Sequence, residues 1–379
     1  MPAEHRAGGE RDITRNHEAG RRLRRLMDDD WQWSLEQYPE MATQVGHPGY
    51  NDRWTNHSAE AITTLQTHVR ASLAALMTID REDLPAADGI NHDFYRHQLE
   101  LDVAAQAFPE DLLPINQMSG VQHSLAETIL LMPRQTTADY EDRLARLAGV
   151  PQVIRETMAL LQRGVAAGVT VPRVTLRDVP DQIRAVISAH GPLLQPFSAF
   201  PVSCSAPEQD DLRSRAETVV AGDPPLRLPD GLQRRLGALC REPGRGDGFY
   251  TDPYARFGQL TYEMWRAIRL VVDTGLHAMG WSRRQAVDYF AGNAGKSEHD
   301  IVVEVDRYIV WPGQALAYKI GELKIRELRK YAEMNLGTAF DIRAFHDTVL
   351  AEGSLPLKIL EERFHAWVAS QEGEQERFR

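Results

Sequence analysis

Cysteines and long apolar segments are scarce in this 379-residue chain. It has two cysteines, Cys204 and Cys240, and they do not form a C-x-x-C pair. A disulfide-stabilised extracellular domain would need more, so we expect reduced thiols and a cytoplasmic location. The N-terminal residues lack the apolar segment of a secretory signal. Nowhere does the sequence contain the run of about 18 apolar residues that a transmembrane helix requires.

The chain also lacks an excess of positive charge. It carries 54 acidic and 43 basic residues, which gives a formal net charge of −11. Nucleic-acid-binding proteins normally present a basic face, so we expect no nucleic-acid partner. Because no transmembrane run is present, we expect no membrane partner either. The length allows one large domain or two of ordinary size. Nothing in the composition indicates an oligomeric state.

Several catalytic motifs are absent from the sequence. It contains no G-x-S-x-G nucleophile elbow, no Walker A loop and no Rossmann glycine fingerprint. The zinc motif H-E-x-x-H is absent too: His17-Glu18 begins like one, but Arg21 stands where the second histidine belongs. The residues alone therefore predict no metal ligand and identify no cofactor.

Helical periodicity dominates the sequence, and strand-like alternation is almost absent. We therefore predict an all-α fold, a large multi-helix bundle. Residues suited to capping, such as Ser58, the Thr136–Asp139 pair and Ser282, mark helix starts, while Pro39 and Gly337 mark helix ends. The predicted helices span about residues 18–38, 59–77, 89–108, 122–131, 136–163, 256–279, 282–291, 297–309, 312–335, 342–351 and 356–369.

One stretch between these helices has a different composition. It contains the pieces AGDPPLRLPDG and REPGRGDG and has weak periodicity. Loops of this length are unusual within a compact domain. We therefore divide the chain into an N-terminal helical part (1–200), an irregular segment (201–248) and a C-terminal helical part (249–379).

The predicted helix 256–279 carries a polar face. Arg266, Arg269, Asp273 and His277 follow each other at spacings of three, four and four, so they lie on one side of the helix. They could form a hydrogen-bonded ladder that holds helices together, since buried charges need partners. Alternatively, His277 and an arginine could line a cleft that binds a carboxylate or an oxyanion.

A second candidate lies at the turn YIVWPGQALAYK, residues 308–319. Pro312 and Gly313 at a helix start leave free backbone N–H groups, which favour an anion or a carbonyl oxygen there. Gln314 and Tyr318 are four residues apart and share a face. A tyrosine could act as an electrophilic partner in a hydrolase, or it could be an ordinary buried tyrosine with one hydrogen bond.

The segments RAIRLVVDTGLH and PGQALAYKIG, supported by LLPINQMSGVQ and MPRQTTADYEDRLARL in the N-terminal half, resemble the bacterial family catalogued as domain of unknown function 885. The resemblance covers about residues 27–200 and 249–369. It implies an all-helical zinc peptidase of the gluzincin kind, similar to carboxypeptidase Taq and angiotensin-converting enzyme. It also implies that the two helical parts pack as one domain.

The resemblance implies roles for several residues. In such peptidases zinc polarises the scissile carbonyl while histidine and tyrosine side chains steady the oxyanion. Supporting catalytic roles therefore fall to His277, Tyr308 and Tyr318. Binding of a substrate carboxylate falls to the residues Arg266, Arg269, Gln314 and Lys319.

The sequence departs from the family pattern where the zinc motif belongs. The family's His-Glu-Ala-x-Pro-Gly-His-His helix should lie between residues 200 and 249, where this chain has the irregular segment. Three functions stay open. The chain could be a metallopeptidase-like protein without activity, a hydrolase that binds metal through another set such as His277 with Glu263 or Glu298, or a non-enzymatic protein that binds a peptide or small carboxylate.

Overall fold

The structure of the protein is a computed structural model that describes residues 3–186, 188, 191–222 and 253–377. Every regular element in these residues is a helix, so the predicted all-α fold is confirmed. The chain divides into two compact units, Met1–Leu236 and Gly237–Arg379. Packing of the two helical parts as one domain stays a prediction.

The helices of each unit follow one another in chain order. Among the described residues, no helix combines the length and the apolar character that a bilayer-spanning segment needs. The first unit contains α1 (Ala3–Gln37), α2 (Pro39–Gln44), α3 (Ala59–Leu76), α4 (Ala86–Ala105), α5 (Val121–Leu131), α6 (Thr137–Ala167), α7 (Val179–Val186) and α8 (Ala206–Gly222). The second unit contains α9 (Pro253–Ala278), α10 (Arg283–Asn293), α11 (Glu298–Val310), α12 (Ala317–Leu336), α13 (Ile342–Leu350) and α14 (Leu357–Arg377).

Three of the predicted helix starts have the capping contacts expected for their residues. The Ser58 hydroxyl accepts a hydrogen bond from the backbone N–H of Ala61 at the start of α3. Thr136 and Asp139 form a reciprocal capping box at α6. Ser282 forms the same motif with Gln285 at α10. These polar side chains satisfy N–H groups that a helix start leaves without partners.

The prediction of an irregular segment at residues 201–248 was wrong for part of that range. Residues 206–222, which the prediction places in an irregular stretch, form α8, and α8 packs on α6 through Leu212 and Ala216. Tertiary burial of a few apolar positions stabilises this helix although its overall periodicity is weak. The rest of the predicted irregular segment, from residue 223 to 248, lies outside the described residues.

A second difference concerns the start of α12. The sequence predicts a helix from Pro312, but α12 begins at Ala317 after a short 3-10 turn. Gly313 has a φ of 80°, in the left-handed region that glycine adopts readily and that a right-handed helix excludes. The chain therefore turns at Gly313 before the helix starts.

Among the described residues, each unit has two apolar cores. In the first unit, α1, α3 and α4 pack around Leu23, Leu76 and Leu99. The other core joins α5, α6 and α8. In the second unit, α9, α10 and α11 enclose one core and α12, α13 and α14 the other.

Two fully buried arginines, Arg143 and Arg146, extend from α6 into the interior of the first unit. The Arg143 guanidinium donates to the backbone oxygens of Ile129 and Met132 at the C-terminal end of α5, at 3.2 and 2.5 Å. A cation there also compensates the negative end of the helix dipole. Arg143 thereby fixes the end of α5 against α6.

Arg146 does the same for the loop between α2 and α3. Its guanidinium donates to the backbone oxygens of Tyr50 and Arg53 and to the Thr43 hydroxyl, at 3.1, 2.9 and 2.9 Å. The Trp54 ring lies 5.1 Å from the guanidinium carbon and donates its indole N–H to the Arg146 backbone oxygen. Arg146 thus ties the Gly-, Pro- and Asn-rich loop to α6.

We predict that Arg146→Ala lowers the free energy of unfolding of the first unit by about 3 kcal/mol, because two buried carbonyl groups lose their donors and a cavity forms. The melting temperature should fall by roughly 6–12 °C. Thermal unfolding followed by circular dichroism measures this. The control is Arg155→Ala on the same helix, which removes only an exposed contact to Gln152 and should change little. Equal melting temperatures for both variants would contradict the assignment.

Candidate functional site

The polar face predicted on α9 lies against α11 and the turn that follows it. Arg269 donates to Glu304, and His277 lies at hydrogen-bond distance from the backbone oxygen of Tyr308. Between them on α9, Asp273 accepts the N–H of Gly313 in the turn. The helical spacing thus brings these three together as the sequence predicted. Arg266, on the preceding turn of α9, is half-buried.

The hydroxyl of Tyr308 is the centre of the network. Tyr308 is fully buried on α11. Its hydroxyl donates to Glu304 at 2.7 Å and accepts from the Arg269 guanidinium at 3.1 Å and the Trp265 indole at 3.2 Å. One donor and two acceptor positions are all that a hydroxyl has. The hydroxyl of Tyr308 is therefore fully used by the protein.

Glu304 receives the charges of two arginines. Arg269 and Arg307 donate to its Oε2 at 3.3 and 2.8 Å, and the Tyr308 hydroxyl donates to the same oxygen. Burial acts to raise the pKa of Glu304, but the hydrogen bonds from Arg307 and Tyr308 and the two positive charges outweigh it, so its pKa lies below the usual value. Burial and the Glu304 charge raise the pKa of Tyr308 to about 12.

The Arg269 guanidinium also lies among aromatic rings. Its central carbon is 5.8 Å from the Trp265 ring centre, 5.9 Å from that of Tyr308 and 5.6 Å from that of Tyr318. Such contacts stabilise a cation, most strongly where water is excluded. Tyr318 is 56% exposed, so its ring forms the solvent-facing side of this cluster.

Asp273 occupies the anion position that the sequence predicted at the turn. Its carboxylate, 2% exposed, accepts the backbone N–H of Gly313 at 3.1 and 3.2 Å. The anion expected at this turn is therefore a side chain of the protein itself. The N–H of Gly313 is thus already bonded to a carboxylate.

The other predicted residues also have partners within the second unit. His277 Nε2 lies 2.8 Å from the backbone oxygen of Tyr308, which the ring contacts across the two helices. The Gln314 side-chain oxygen accepts a hydrogen bond from Arg307 at 2.6 Å. Lys319 lies between Glu322 at 2.9 Å and Glu263 at 3.6 Å. With two carboxylates beside it, the Lys319 ammonium lies in a locally negative environment.

The residues suggested for an alternative metal site do not converge. His277 and Glu263 are both on α9, fourteen residues and therefore about 21 Å apart along the axis. Glu298 begins α11, while His277 contacts the backbone of Tyr308 ten residues later, about 15 Å along that helix. The pairing of His277 with Glu263 or Glu298 was therefore wrong. In the part of the chain that the structure describes, no group of three or more His, Cys, Asp and Glu side chains is arranged around a common point.

Zinc, which the resemblance implies, therefore has no matching donor set among the described residues. Zinc sites use three or four nitrogen, sulfur or carboxylate ligands within about 2.3 Å of the ion. Glu304 and Asp273, two carboxylates beside the candidate residues, already accept hydrogen bonds from arginine and from Gly313.

Sequence reasoning missed Trp265, Glu304 and Arg307. A signal was present, since Glu304, Arg307 and Tyr308 are three and four residues apart and therefore share one face of α11. Only the packing of α9 on α11 shows that Trp265 and Arg269 complete the set. The structure thus brings Arg269, His277 and Tyr308 together with Tyr318, and it places Lys319 in a separate ion pair.

We predict that Glu304 makes the second unit more stable above pH 4 than below it. Its pKa is lowered by folding, so its contribution is full above the unfolded-state value of about 4.3 and disappears as the pH falls through the folded-state value. Denaturant unfolding of the wild type and Glu304→Gln between about pH 3 and 6 measures this. The stability difference between them should shrink towards acid pH. The control Glu333→Gln, an exposed partner of Arg329, should show no such change, and a pH-independent difference for Glu304→Gln would refute the assignment.

Comparison with known proteins places the chain in a family. Over residues 39–223 and 242–364 the sequence matches the family described as a bacterial protein of unknown function (DUF885). The fold is similar to the crystal structure of a proposed lipoprotein from Colwellia psychrerythraea, with a TM-score of 0.79, 16% identity and coverage of 93% of this chain and 99% of that one. At this identity the likeness concerns the fold alone. Among curated proteins, no sequence matches significantly. Because the family match extends over most of its length, the chain belongs to the DUF885 family of bacterial proteins.

Proposed function

We propose that this protein is a metallopeptidase-like member of its family that binds a peptide carboxylate and does not hydrolyse peptides. The proposal joins two of the functions left open by the sequence. The observation that carries it is the state of the Tyr308 hydroxyl, which is fully engaged by Glu304, Arg269 and Trp265.

The Tyr308 network argues against hydrolysis. A tyrosine that stabilises an oxyanion must direct its O–H at the substrate. In this protein the O–H of Tyr308 is donated to Glu304, and the ring is fully buried. His277 likewise lies at hydrogen-bond distance from a backbone oxygen of α11. Both residues join helices, which is the structural interpretation that the sequence left open.

The absence of the zinc motif points the same way. The 379-residue sequence contains no H-E-x-x-H pair. In peptidases of the resembled kind the zinc ion and the glutamate of that motif activate the attacking water. Without those residues the remaining groups could bind a substrate but would lack the means to activate water.

Charge supports carboxylate binding at the same cluster. Arg269 and Arg307 both direct their guanidinium groups at Glu304, so two positive charges face one negative charge. Arg269 lies beside the exposed ring of Tyr318. A peptide bound here would place its carboxylate against the guanidinium and its backbone against the Tyr318 ring. Arginine is suited to this role because its planar group can form paired hydrogen bonds. Lys319 is a weaker candidate, since two carboxylates already lie beside it.

For hydrolysis we expect no chelator-sensitive activity. The purified protein, with zinc added, is incubated with a mixture of short peptides, and products are followed by mass spectrometry with and without a chelator. Tyr308→Phe, assayed in parallel, tests whether any cleavage depends on the Tyr308 hydroxyl. Cleavage that a chelator abolishes and zinc restores would overturn the non-hydrolytic part of the proposal.

For carboxylate binding we expect an acetylated dipeptide with a free C-terminus to bind about tenfold more tightly than its C-terminal amide. Calorimetry measures both affinities. Arg269→Gln should remove this preference. Arg284→Gln, which changes an arginine whose side chain is 83% exposed, is the control and should keep the preference. Equal affinities for acid and amide in the wild type would refute the binding part and leave the hydrolysis test unaffected.

A further inference from the structure

The first unit contains a cavity that no sequence pattern indicates. It lies between α1, α3 and α4 and has a volume of about 500 Å³. This is within the range of small-molecule sites in proteins. Its walls combine carboxylates and aromatic rings. Those that the argument uses are Asp28, Asp30, Trp31, Trp33, Tyr95 and Asp102.

Asp30 accepts three hydrogen bonds at the wall of the cavity. Its side chain is 16% exposed. Its Oδ1 accepts hydrogen bonds from the His68 ring at 2.9 Å and from the Ser72 hydroxyl at 3.0 Å, while its Oδ2 accepts one from the Tyr95 hydroxyl. A carboxylate has about four lone-pair positions, two on each oxygen. One position on Oδ2 is therefore left for a further donor.

The donors around Asp30 do not neutralise its charge. Ser72 and Tyr95 are neutral, and burial together with the bond to Asp30 raises the pKa of Tyr95, so its hydroxyl keeps its proton. His68 adds a positive charge only when it is protonated. Ser72 donates to Asp30 and not to His68, so these three residues are not arranged as a hydrolytic triad.

Two more carboxylates make the cavity strongly negative. Asp28 and Asp102 line it beside Asp30, and the lining residues, all of them described, include no lysine or arginine. The charge of Asp102 also contributes, after burial, to the raised pKa of Tyr38 at the rim. A cleft whose lining carries an uncompensated negative charge attracts cations.

Aromatic rings supply the second half of the site. The Trp33 ring stacks on the His68 ring, with centres 3.6 Å apart and planes 10° from parallel, and this fixes the imidazole that bonds Asp30. Trp31 is 46% exposed and Tyr38 39%, so both present ring surface at the opening. Aromatic faces bind ammonium groups and also cover hydrocarbon. A metal ion or an inorganic cation would not use this surface.

We propose that this cavity binds a small organic amine, whose ammonium group donates to Oδ2 of Asp30 and whose hydrocarbon body packs against Trp31 and Tyr38. The free acceptor position, the uncompensated charge and the aromatic rim each match one part of such a ligand. The site belongs wholly to the first unit, so it is independent of the carboxylate-binding cluster on α9 and α11.

The test uses 2-phenylethylamine as the probe and 2-phenylethanol as its neutral counterpart, with the full chain in a calorimeter at about pH 8, where an ordinary histidine is neutral. The amine should bind and the alcohol should not. Asp30→Asn should weaken amine binding by about tenfold or more, since it removes the charge that the ammonium contacts. The matched control is Asp29→Asn, the exposed neighbour on α1 that does not line the cavity. It should bind the amine as the wild type does.

A second variant keeps the test valid if Asp30→Asn unfolds. Trp31 is half-exposed, so Trp31→Ala should preserve the fold, checked by circular dichroism, and should also weaken amine binding. The proposal is overturned if the wild type binds neither compound at millimolar concentration or binds both equally. It is likewise overturned if folded Trp31→Ala and Asp29→Asn bind the amine with the same affinity.

Discussion

Charged groups that lie inside this helical protein are held by hydrogen bonds that the protein itself provides, and this constraint shapes both units. Removing an ion from water is costly, so each buried charge must find several partners. Arg143 and Arg146 meet the requirement with backbone oxygens at the end of α5 and in the loop before α3. In the second unit Asp273 meets it with the N–H of Gly313. The buried charges thereby fix how loops and helix ends lie against the helices.

The same constraint decides how the candidate residues should be interpreted. Tyr308 and His277 have the residue types of a hydrolytic site, and they do come together. The Tyr308 hydroxyl and the Nε2 atom of His277 both face other parts of the protein, and the buried hydroxyl needs such partners in the absence of a ligand. What remains available at this place is positive charge beside the exposed Tyr318. That favours binding over reaction.

The two proposed sites differ in sign and in origin. The cluster on α9 and α11 places two guanidinium groups around one carboxylate, whereas the cavity of the first unit places three carboxylates among aromatic rings. One would take the acidic end of a ligand and the other an amine. Each site lies within one unit, so each can be tested without the other. Membership of a family of unknown function restricts neither.

Sequence patterns alone predict the all-α fold, most helix positions and the capping residues Ser58, Thr136 and Ser282, because periodicity and capping depend on neighbours close in the chain. They also place Arg269, Asp273 and His277 on one helix face. They fail at α8, where burial against α6 compensates for weak periodicity, and at the start of α12, where Gly313 turns the chain. The contacts of Glu304 and Trp265 with Tyr308, and the cavity that α1, α3 and α4 form around Asp30, depend on tertiary packing. These contacts join residues up to 65 positions apart, and no local pattern specifies which distant side chains will pack together.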